Sequence, residues 1–116
     1  MKGLVYNNGL LAGMIEKDDT GKYIFRYEDH YFNMQQAPHI SLTLPKTQQE
    51  YTANELFPFF QGLLSEGINK DIQCRLYQLD EDDDFTRLLL TSREDTIGAI
   101  TVKPENDELF RMLYGI

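Results

Sequence analysis

Apolar and polar residues alternate through the first part of the chain, recur at helical spacing through most of the rest, and return to a β-branched run near residue 100. Asn8-Gly9 separates two apolar stretches, and that dipeptide accepts the positive φ angles of a two-residue hairpin turn. The pattern therefore predicts strands over residues 4–7 and 10–16. After the turn cluster Asp18-Asp19-Thr20-Gly21, Tyr23, Phe25 and Tyr27 alternate with Ile24 and Arg26, which predicts a third antiparallel strand. Residues 29–39 follow no period. Ile40-Ser41-Leu42-Thr43-Leu44 alternates again and stops at Pro45, predicting a fourth short strand. A β-meander of this kind has one apolar face and needs helices or a second sheet laid over it.

The second half supplies helical spacing. Thr52-Ala53-Asn54-Glu55 matches a capping box, in which hydroxyl and carboxylate each satisfy an orphan backbone N–H. Pro58 either bends the helix that follows or starts its main segment. Leu56, Phe59, Phe60, Leu63 and Leu64 form the first stripe, with Gly67 expected to end it. Ile68, Ile72, Leu76 and Leu79 form a second stripe. The acidic run at residues 80–84 precedes a third short helix over 85–90, where carboxylates suit the positive end of the helix dipole. Residues 97–102 are expected to return as a closing strand before Pro104, and residues 106–116 to form a last helix. The expected class is α+β: a mainly antiparallel β-meander sheet with a C-terminal closing strand, covered by three to four short helices.

Bulk properties narrow the function. With 116 residues the chain fits one core, and 41% hydrophobic with 26% charged residues is an ordinary globular composition. A net charge of −8 repels phosphate backbones, so direct nucleic-acid binding is not expected. Cys74 is the single cysteine, which excludes an internal disulfide and fits a reducing compartment. Turn residues interrupt the N-terminus before a signal-peptide core forms, and the apolar run over 10–15 is too short to span a bilayer, so a cytoplasmic protein is expected.

The chemistry of catalysis is hard to find. Neither G-x-G-x-x-G nor G-x-x-x-x-G-K-[ST] occurs, and neither His-Arg-Asp nor Asp-Phe-Gly is present. The run at 80–84 opens like a calcium loop, but that frame puts Phe85 where glycine is needed and Thr91 where the bidentate glutamate belongs. His30 and His39 are isolated from each other, and Cys74 lies between Ile72 and Leu76, where a thiol packs as a small hydrophobe. No catalytic residue, cofactor or metal is expected.

An ordered string of segments resembles the N-terminal subdomain of HipA-type serine/threonine kinase toxins. It comprises residues 5–13 (VYNNGLLAG), 23–27 (YIFRY), 40–45 (ISLTLP), 57–67 (FPFFQGLLSEG) and 97–100 (IGAI), spanning a domain over 4–104 with a helical tail over 105–116. The stretch over residues 58–67, Pro-Phe-Phe-x-Gly-Leu-Leu-x-Glu-Gly, is the most specific part. Departures fall at Ser65, where the family usually has proline, at Ile68, where it has an aromatic residue, and at Thr96 and Ile97 in place of small residues. In the family this subdomain precedes a kinase core, which this sequence lacks. The resemblance implies a bacterial toxin–antitoxin component that binds and regulates, as an antitoxin, a separately encoded HipA-like kinase core, with a helix-turn-helix DNA-binding protein in the same complex. It equally admits an obligatory lobe of an active split kinase, or a stand-alone module with an unrelated partner. Contact is expected through the end of the first helix and the loop after it, at Phe60, Ser65, Glu66, Gly67 and Ile68. Ile68 has an alternative place in a core stripe with Ile72 and Leu76.

Overall fold

A computed structural model describes residues 1–64, 66–92 and 100–105. Strands β1 (Lys2–Asn7), β2 (Leu10–Lys17) and β3 (Tyr23–Tyr27) come first, followed by helix α1 (Asp29–Asn33) and strand β4 (Glu50–Ala53). Helices α2 (Pro58–Gln61), α3 (Gly67–Tyr77) and α4 (Asp84–Thr91) precede strand β5 (Ile100–Pro104). The strands form one antiparallel sheet in the order β4-β3-β2-β1-β5. The architecture is the expected α+β one, and the closing strand enters beside β1 with Val102 opposite Val5.

Local chemistry accounts for the hairpin: Asn8 and Gly9 adopt φ of 51° and 81°, the positive pair that a two-residue turn requires. Alternation then places Val5, Ile15, Tyr23, Phe25, Tyr27 and Val102 on one buried face. Helix α4 lays Phe85, Leu88 and Leu89 on that face, each burial stabilising by about 1.5–3 kcal/mol. Close approach requires glycine in the sheet. A Cβ at Gly13 would stand 2.5 Å from the Arg26 carbonyl oxygen and 3.0 Å from the Phe25 ring.

Three expectations are corrected and one left open is decided. Residues 40–44 form a loop: Ile40 and Leu44 are buried and Leu42 is 86% exposed. The Tyr27 hydroxyl holds that loop, accepting from the Ile40 N–H at 3.0 Å and donating to the Leu44 carbonyl. The same burial lifts the Tyr27 pKa to about 12. The place beside β3 belongs instead to β4, so Thr52 pairs with Ile24 and caps no helix. Of the two roles open to Pro58, the structure takes the second: it is the first residue of α2, where its missing N–H costs nothing. Gly67, expected to close a helix, opens α3 with φ of 61°.

Helix α1 had no periodic signal. Its cap is local: the Glu28 carboxylate accepts from the His30 and Tyr31 N–H groups, both at 2.9 Å, which lowers its pKa. The acidic run does cap a helix, since Asp83 accepts from the Thr86 N–H at 3.1 Å. Residues 97–99 of the expected closing strand and the expected helix over 106–116 lie outside the described residues.

Candidate functional site

The chain leaves the sheet at β4 and buries Leu56, Phe57, Phe60 and Leu64 as it passes through α2. Phe60 sits at the centre of an aromatic cluster, 5.8 Å from Phe25, 5.2 Å from Phe59 and 6.3 Å from Phe57 between ring centres. It is fully buried, so its side chain offers no contact surface and instead holds the α2 turn on the sheet. Ser65 lies outside the described residues. Glu66, Gly67 and Ile68 follow contiguously and are exposed, Ile68 by 77%.

The turn into α3 depends on Gly67. Its positive φ is one that side-chain-bearing residues rarely adopt, although a Cβ there would meet nothing within 4 Å. Conformation, not space, selects glycine. Glu66 stands at the N-cap with φ of −118° and ψ of 171°, and its side chain makes no cap hydrogen bond. Glu66 is exposed at the corner, two residues before the exposed Ile68.

Beyond the corner, α3 carries its amphipathic pattern inside out. Cys74 is its only buried residue among the eleven, with Lys70, Gln73 and Tyr77 half-buried around it. Ile68, Ile72 and Leu76 recur every four residues on the opposite side and are 77%, 48% and 68% exposed. Three of the four stripe residues thus share a helix face, Leu79 lying past the helix end, and the alternative place of Ile68 in the core is overturned. The helix is tethered through its polar side: Arg87 of α4, itself buried, donates to Gln73 and to the Asp84 carboxylate, both at 3.4 Å. At the far end Gln78 takes a left-handed φ of 53°, and the Leu79 N–H donates to the Cys74 carbonyl at 2.9 Å to close the helix.

Nothing else among the described residues assembles reactive groups. No set of three or more His, Cys, Asp or Glu side chains there has the spacing to hold a metal ion. His30 and His39 are exposed and Cys74 is buried. A depression of about 400 Å³ on the outer face of the sheet, bordered by Leu4, Met14, Ile24, Arg26 and Glu50, is open and carries charges of both signs. No described helix is long and apolar enough to cross a membrane. The arrangement presents an apolar helix face and, at the corner before it, one exposed carboxylate.

Comparison with known proteins gives a consistent result. An uncharacterised protein of Haemophilus influenzae is 32% identical over 103 residues, which cover 89% of this chain and 92% of that protein. A protein of Sinorhizobium fredii named as a candidate kinase, Y4mE, is 28% identical over 104 residues; these cover 90% of this chain but only 24% of the longer protein. Among solved structures, the N-terminal domain of HipA toxin superposes with a TM-score of 0.67 at 28% identity, covering 90% of this chain and 92% of that one. The family model of the HipA N-terminal domain matches residues 3–103, and the chain belongs to that family.

Proposed function

We propose that this domain is a non-catalytic protein-binding module that binds a separate HipA-like serine/threonine kinase core and neutralises it. Membership of the HipA N-terminal domain family supports the choice of partner. The observation that carries a binding role is the corner itself: Glu66 and Ile68 are both exposed on either side of Gly67, whose positive φ sets the turn. Glu66 accepts charge-assisted hydrogen bonds from a basic partner, and Ile68 fills an apolar recess next to it. Ser65 belongs to the same contact, while Phe60 acts from beneath by holding α2 in place. A helix-turn-helix protein in the same complex supplies the DNA contact, which the net charge of −8 disfavours for this chain.

The test is to change Ser65→Arg and Glu66→Arg together and to measure binding to the kinase core by calorimetry, together with growth of cells expressing both proteins. Lost affinity and restored toxicity in a folded double mutant are expected. Undiminished affinity removes the corner from the interface.

A second reading has its own support. In the Sinorhizobium fredii relative the matching region is a quarter of a protein named for kinase activity, so the domain also occurs as part of a longer chain. There it would act as a lobe that assists the kinase. Phosphorylation by the isolated kinase core separates the two: a core active alone and silenced by this chain is neutralised, whereas a core active only with it is completed.

A further inference from the structure

We propose that the outward stripe of α3 is a self-association surface, on which two copies of this chain pair their α3 helices antiparallel about a two-fold axis through Ile72. This goes beyond the kinase-binding reading and does not rest on it. The apolar side chains come first. Ile68, Ile72 and Leu76 are exposed at four-residue spacing on an eleven-residue helix whose inward side is largely polar. An antiparallel pairing centred on Ile72 sets each Ile68 against Leu76 of the second copy and Ile72 against its counterpart, so one stripe is complementary to itself.

Charge selects a second copy over other occupants. Asp71 and Arg75 lie four residues apart on the same flank of the stripe, and both are exposed. A two-fold axis perpendicular to the helices keeps that flank facing its own copy while reversing its direction. Asp71 then faces Arg75 of the second copy, and Arg75 faces Asp71, with an offset of two residues or about 3 Å that an arginine side chain spans. The surface is also neutral where the molecule is not. Over residues 66–79, Glu66 and Asp71 are balanced by Lys70 and Arg75, so the whole net charge of −8 lies elsewhere. The acidic run at 80–84 would come to rest near the N-terminal end of the second copy's α3, whose N–H groups receive no side-chain cap from Glu66.

An interface of one short helix per copy falls below the roughly 1,200 Å² of a standard stable interface, so the dimer is weak and reversible. Because Ile68 belongs to both surfaces, a kinase seated on the corner and a second copy on the stripe exclude each other.

The test uses the full chain without kinase, in sedimentation equilibrium from about 1 µM to about 1 mM, the range that brackets a small interface. A monomer–dimer equilibrium is expected in the wild type, and a monomer throughout for Ile72→Glu. Asp71→Arg is expected to weaken the dimer about tenfold, and Asp71→Arg with Arg75→Asp to restore it, because the exchange rebuilds the pairs with reversed sign. The charge variants sit on exposed positions, so they remain informative even if Ile72→Glu proves unstable. A wild type that stays monomeric at the highest concentration overturns the inference, as does a dimer indifferent to Ile72→Glu or a double exchange that fails to restore it. A stripe shielded from hydrogen exchange only when kinase is added assigns the surface to the kinase instead.

Discussion

Helices α3 and α4 are neighbours in sequence, of similar apolar content, and opposite in use. In α4 every residue from Phe85 to Leu90 is buried, and the Asp83 carboxylate caps the first turn. In α3 only Cys74 is buried, and three large aliphatic side chains face outward. The first helix holds the sheet together; the second rests on the first through Arg87 and displays what it does not bury. Amphipathicity alone therefore does not say which side of a helix meets the core, because the sign is set by what lies next to it.

The sharpest way to break this contrast is a truncation on each helix. Leu89→Ala is expected to destabilise the domain by about 3 kcal/mol, because the side chain is fully buried against the sheet and leaves a cavity. Urea unfolding followed by circular dichroism reads the loss. Arg87→Ala tests the link between the helices. Removing a buried guanidinium that bonds Gln73 and the half-exposed Asp84 is expected to cost about 2 kcal/mol, and to increase hydrogen exchange in α3 more than in the sheet.

Capping sharpens the comparison further. Glu28 caps α1 and has a pKa below its ordinary 4.5, whereas Glu66 makes no cap bond on α3. A carboxylate whose pKa is lower in the folded state stabilises the fold above its ordinary pKa, and that contribution is lost as pH falls through the folded value. Glu28→Gln is thus expected to lower Tm at neutral pH, with the gap to wild type closing on acidification below pH 4.5. Glu66→Gln has no cap to lose and is expected to leave Tm unchanged at neutral pH. The smallest effect belongs to the exposed stripe. Ile72→Ser is expected to change monomer stability by no more than about 0.5 kcal/mol in chemical denaturation at low micromolar concentration, where a weak dimer is dissociated.

Part of the candidate site was legible in the residues. Leu-Leu-Ser-Glu-Gly announced a polar, sharply turning corner, and Glu66, Gly67 and Ile68 do stand exposed there. Phe60 is fully buried, which the stripe could not say because helical spacing does not give the inner side. Ile72 and Leu76 were missed as surface residues for the same reason. The half-polar side around Cys74, with Lys70, Gln73 and Tyr77, was the available sign that the apolar side was free.

The division between sequence and tertiary structure follows the range of the forces involved. Backbone conformation at Asn8-Gly9, the acidic cap of α4 and the alternation through Tyr23, Phe25 and Tyr27 are decided within a few residues, so the sequence by itself determined them. The edge beside β3 was read onto the alternating segment 40–44, and only the fold reassigned it: the Tyr27 hydroxyl bonds the backbone of Ile40 and Leu44, and Glu50–Ala53 forms the ladder. The fold likewise set α3 with its apolar stripe outward, while α4 packs on the buried face of the sheet. Burial depends on partners distant in sequence, and periodicity carries no record of them.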